Sequence, residues 1–101
     1  MKSIVESISS EKAILVNFFT SWCGTCNVLK PELEKFSTLV SNTYPILDVN
    51  LERDSHMISK FHIKTMPTLI LFKGGKEFWR HEGLINASQL GREIVNLVEG
   101  V

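Results

Sequence analysis

The sequence predicts an α/β fold, a mixed central sheet of about four strands flanked by helices. Three observations carry this. Segments with helical spacing alternate with short strand-like apolar runs; two of those runs are continuous enough to be buried on both faces; and Gly74-Gly75 marks a hairpin that makes the last two strands antiparallel. At 101 residues, 44% of them hydrophobic, the chain is long enough for one domain spanning 1–101 and too short for two. A domain of this size buries about 65% of its unfolded surface.

Each element has its own local reason. From Lys2 to Ser10, Ile4, Val5 and Ile8 recur at i, i+1 and i+4, which predicts a short amphipathic helix. Ala13–Phe19 is apolar except for Asn17 and reads as a central strand. Val28, Leu29, Leu33, Phe36, Leu39 and Val40 then carry helical spacing to about residue 40, with Pro31 expected to kink the helix without ending it. Pro45–Leu51 alternates and predicts a second strand, parallel to the first if a right-handed crossover joins them. Met57, Ile58 and Phe61 mark a short helix over Ser55–Phe61, and Thr68–Phe72 a second buried strand that pairs through the hairpin with Lys76–Arg80. Asn86 is a candidate N-cap for a last helix carrying Leu90, Ile94, Leu97 and Val98 on one face, with Gly100 beyond its end. The six phenylalanines, Trp79 among the other aromatics, and the apolar stripe residues are read as packing.

Composition narrows the function classes. Eleven Lys and Arg balance eleven Asp and Glu, so no global field favours nucleic acid or an anionic membrane. The longest apolar runs, Ala13–Val16 and Leu69–Phe72, are four residues each, whereas a membrane span needs about 20 and a signal h-region about 7–15. The expectation is a soluble, untargeted, cytoplasmic chain. There is no Gly-rich phosphate loop and therefore no nucleotide site. Two cysteines are too few for a disulfide scaffold, and their closeness points to chemistry.

Those cysteines lie in Trp22-Cys23-Gly24-Thr25-Cys26, where the first strand turns into a helix. A thiol at a helix N-terminus faces unpaired N–H groups and the positive end of the dipole, which favour thiolate. Cys23 is thus the natural nucleophile. Cys26, one turn inside, is placed to attack a mixed disulfide and resolve it, while Gly24 leaves room for a partner's backbone. A Cys-X-X-Cys can instead be half a zinc site, and His56, His62 and His81 supply the arithmetic. No second close ligand pair exists among them, so no metal is assigned.

The residues AILVNFFTSWCGTC, Pro31, Met66-Pro67-Thr68, Gly74-Gly75 and Gly83 together resemble the thioredoxin family over nearly the whole chain. The resemblance implies a thioredoxin-like sheet flanked by helices, dithiol–disulfide exchange on protein substrates, no bound cofactor beyond the Cys23–Cys26 disulfide, and electrons from an NADPH-linked thioredoxin reductase. It further implies a cis-proline at Pro67 facing the cysteines, a Met66 backbone that pairs with an extended substrate, a groove glycine at Gly83 and an apolar platform at Trp22.

Four departures stand out. Thr25 replaces the proline between the cysteines, Asn17 the buried Asp beneath Cys26, and Asp48 a Lys on the neighbouring strand. The fourth is that the chain starts about nine residues too late to supply the family's first edge strand, which is expected to be missing and to leave a sheet edge or a dimer contact. Asp48 with Asn17 is accordingly a possible proton relay for Cys26, set against a solvent-facing Asp with no catalytic part. The principal expectation is a protein-disulfide reductase; the alternative is a binding or scaffold module whose dithiol acts as a redox latch on peptide binding.

Overall fold

The computed structural model describes residues 4–10 and 12–100; Lys2 and Ser3 of the expected first helix lie outside them. The elements follow the order α1 (Ile4–Ile8), β1 (Ile14–Phe19), α2 (Gly24–Leu39), β2 (Ile46–Asn50), α3 (His56–Lys60), β3 (Thr68–Lys73), β4 (Lys76–Glu82) and α4 (Ala87–Glu99). Among the described residues the strands form one four-stranded sheet in the order β2-β1-β3-β4. β1 runs parallel to β2 and antiparallel to β3, and β3 pairs antiparallel with β4. This is the expected mixed sheet, with β2 and β4 at its edges.

Side-chain alternation along β1 sorts the core into two layers. Leu15, with Leu69 and Leu71 of β3, packs under Leu29, Leu33 and Phe36 of α2 and Leu90 and Ile94 of α4. Val16, Phe18, Ile70 and Phe72 face the opposite way, onto Ile8 of α1 and Met57 of α3. Strands covered on both faces must be apolar throughout, which is why β1 and β3 read as continuous runs.

Local chemistry fixes the helix ends. The Asn86 carboxamide oxygen accepts the Gln89 amide at 2.8 Å, capping α4, and Gly100 ends it at φ 70°. Glu32 of α2 accepts the Ala87 amide at 2.9 Å and so ties the two helices together at the start of α4. α2 continues through Pro31, whose missing amide removes one internal bond without stopping the helix. No helix among the described residues is long and apolar enough to cross a membrane.

Some packing expectations fail. Val28 and Leu39 are 55% and 62% exposed, because the buried stripe of α2 is Cys26, Leu29, Leu33 and Phe36 and both residues fall beside it. Leu97 on α4 and Ile58 on α3 are likewise partly exposed, at 43% and 37%. Phe78 is half exposed for a different reason. The β3–β4 register shifts between Leu71 and Phe72, pairing Leu71 with Trp79 and Phe72 with Glu77, so Phe78 is the extra residue of a bulge on an edge strand. Trp79 does pack against the α2–α4 layer, and its indole N–H donates to Glu93 at 3.1 Å.

Candidate active site

β1 delivers the chain to the carboxyl end of the sheet, where ligands of open α/β sheets bind. There Cys23 becomes the N-cap of α2 with extended backbone, and its Sγ accepts the Cys26 amide at 3.1 Å. The cap position explains both the geometry and the chemistry. A first-turn amide without an intrahelical acceptor finds one in sulfur, and the same donor favours the thiolate once the pair is reduced. Cys23 and Cys26 are joined as a disulfide with their Cα atoms 5.2 Å apart, and both are buried, at 9% and 6% exposure.

Two other segments complete the front of the site. The Met66–Pro67 peptide is cis, and the Met66 carbonyl oxygen lies 3.8 Å from Cys23 Sγ. The Pro67 carbonyl accepts the Gly83 amide at 2.8 Å, drawing the end of β4 to the same place. Gly83 holds φ at 90°, a conformation glycine adopts without strain. Trp22 is 73% exposed beside the disulfide, and a Cβ on Gly24 would project into open space. Trp22, Gly24, Met66, Pro67 and Gly83 therefore gather around the cysteines.

Behind the disulfide lies a cavity of about 330 Å³ lined by Cys26, Asn17, Asp48, Lys30, Glu34 and Ser21 among others. Asn17 and Asp48 are register partners on β1 and β2, and the Asn17 Nδ2 donates to Asp48 Oδ1 at 3.1 Å. Asn17 is 7% exposed and its Oδ1 has no hydrogen-bond partner among the described residues. Asp48 lines this cavity on the α2 side of the sheet, yet it is exposed to solvent. The reason is topological: among the described residues β2 is an edge strand of the sheet.

One contact has no counterpart in the sequence reading. The Ser21 amide and hydroxyl both donate to Glu52 Oε1, each at 2.5 Å. The hydroxyl first, then the amide, hold the Glu52 carboxyl below the usual carboxylate range. Ser21 and Glu52 are 31 residues apart. Their only sequence-level link is that parallel β1 and β2 end at the same sheet edge.

A profile described as Thioredoxin matches residues 2–96. The chain belongs to the thioredoxin family. It is 34% identical over 91 residues to the chloroplastic thioredoxin Y2 of Arabidopsis thaliana, an alignment that covers 90% of this chain and 54% of the plant protein. To the thioredoxin of Alicyclobacillus acidocaldarius it is 31% identical over 94 residues, covering 93% and 90%. The X-ray structure of Fasciola hepatica thioredoxin superposes with a TM-score of 0.75 at 28% identity, over 89% of this chain and 84% of the other. The chain spans about half the length of the chloroplastic relatives that it matches. Within the thioredoxin frame, the Cys-X-X-Cys pair stands at disulfide distance, and among the described residues no group of three or more His, Cys, Asp or Glu side chains is arranged to hold a metal ion.

Proposed function

We propose that the chain is a thiol–disulfide oxidoreductase that reduces protein disulfides in a reducing compartment, the cytoplasm. The observation that carries this reading is Cys23 at the N-cap of α2, with its sulfur accepting the Cys26 amide. In the reduced protein the Cys23 thiolate attacks one sulfur of a substrate disulfide, forming a mixed disulfide and releasing the other sulfur as a thiolate. Cys26 then loses its proton and attacks Cys23 Sγ. The Cys23–Cys26 disulfide closes and the second substrate thiol departs with a proton, so two electrons have moved to the substrate. An NADPH-linked thioredoxin reductase restores the dithiol. The chain needs no bound cofactor, because the two electrons it passes on are carried by the reduced Cys23–Cys26 dithiol itself.

Trp22, Gly24, Met66, Pro67 and Gly83 form the surface on which an extended substrate segment lies, with the Met66 backbone as its hydrogen-bonding partner. Asn17 cannot accept the Cys26 proton as a carboxylate would. Asp48, held by Asn17 on the cavity that Cys26 also lines, accepts it through cavity water, with Lys30 and Glu34 the other charged groups on that cavity. A well-placed base accelerates such a step by roughly 10²–10⁴.

Insulin-disulfide reduction with a thioredoxin reductase tests the reading. Turnover lost in Cys23→Ser and mixed disulfides trapped in Cys26→Ser support it; stoichiometric peptide binding without turnover would mean a binding module instead. For the relay, Asp48→Asn slows resolution of the mixed disulfide. An unchanged rate leaves Cys26 deprotonated by water alone.

A further inference from the structure

We infer that Glu52 is a positioning residue for the substrate platform, a role that rests on the reductase reading above. The loop from Thr20 to Trp22 carries the exposed indole into the site, yet among the described residues Trp22 makes no hydrogen bond that would fix it. What fixes the loop is the residue before it. Ser21 gives both its amide and its hydroxyl to one oxygen of Glu52, at 2.5 Å each, and Glu52 is itself steadied by its amide, which donates to Asn50 Oδ1 at 2.8 Å. A carboxylate accepting two donors makes charge-assisted bonds, shorter and stronger than neutral ones. Asn50 ends β2 and Phe19 ends β1, and these two residues are paired in register. The staple thus transfers the rigidity of the sheet to the two residues that precede Cys23.

The cysteines do not depend on this staple for their own geometry. Cys23 is held by the Thr20 carbonyl, which accepts its amide at 3.4 Å, and by the start of α2. Loss of Glu52 therefore acts on how a folded substrate docks against Trp22 more than on the exchange between sulfurs. The separation between the two effects is what the experiment reads.

Glu52→Ala is compared with wild type in steady-state reduction of insulin and of a small aromatic disulfide. The expected result is a rise in KM for insulin of about fivefold, the scale of one or two exposed charge-assisted hydrogen bonds, with kcat and the small-disulfide rate changed less than twofold. Glu52→Gln, which keeps an acceptor oxygen at the same reach, restores most of the KM. Ser21→Ala, which removes one of the two donors, gives a smaller rise. In parallel, amide hydrogen exchange in wild type and Glu52→Ala reads the staple without any substrate: protection at Ser21 is expected to fall in the variant while that of β1 is kept. An insulin KM unchanged in Glu52→Ala, or a loss spread equally over both substrates, overturns the inference. If wild type reduces neither substrate, it is the reductase reading that fails, and the exchange result alone then upholds or rejects the staple.

Discussion

Thr25 is the second residue of α2, where amides have no intrahelical acceptor, so a proline there would remove nothing that the helix uses. A fixed φ at that site lowers the conformational freedom lost when the two sulfurs join, an effect of about 0.4–1 kcal/mol at compatible positions. The wild-type pair is therefore expected to be more oxidising than that of Thr25→Pro by about 10–20 mV, since 1.4 kcal/mol corresponds to about 30 mV. Equilibration of both proteins against glutathione measures this, and equal potentials refute it. At this scale the sequence was legible where chemistry is local. Cys23 and Cys26 announce themselves by spacing, and Asn86 by its place before a periodic run. Contacts between distant residues were not legible: Ser21 with Glu52 and Tyr44 with Glu99 depend on which loops the topology brings together.

Helices and strands were legible where both neighbours in the sheet are present. β1 and β3, covered on both faces, differ from their expected bounds by one residue at one end. Edge elements are less legible, since burial there depends on what lies alongside: Phe78, expected to pack, is the unpaired residue of a bulge. α4 is the element whose start is most plainly chemical. Its first turn draws on Asn86 for the Gln89 amide and on Glu32 for the Ala87 amide. Asn86→Ala is expected to lower stability by about 1 kcal/mol, or about 4–8 °C in Tm, on thermal unfolding. An unchanged Tm would mean that Glu32 alone secures the turn. The Ala87 amide, then Lys35, hold the Glu32 carboxyl below the usual range, so its contribution is present above about pH 4.5 and lost as pH falls through the lowered value.

At the scale of the whole molecule, the Tyr44 hydroxyl donates to Glu99 at 2.5 Å and links the chain just before β2 to the end of α4. Burial first, then the bond to Glu99, push its pKa from 10.0 up to about 12. Between those values the unfolded chain releases the tyrosine proton while the folded one keeps it. Stability therefore falls as pH rises from 10 towards 12. Tyr44→Phe is expected to be less stable at neutral pH by about 1 kcal/mol and to show a shallower alkaline decline, measured by urea unfolding at several pH values. A decline of equal slope would place the effect elsewhere. One feature of the architecture reaches beyond the single molecule. β2 lies at the open margin of the sheet, five residues long, entered through Pro45 and carrying Asp48 at its centre. If two molecules met margin to margin in antiparallel register about that centre, the two Asp48 carboxylates would face each other, and like charges directly opposite repel. A short strand, a proline at its entry and a charge in its middle are the means by which proteins keep such margins from templating fibrils. In any such pairing Asp48 would oppose its own copy, whatever it does for Cys26.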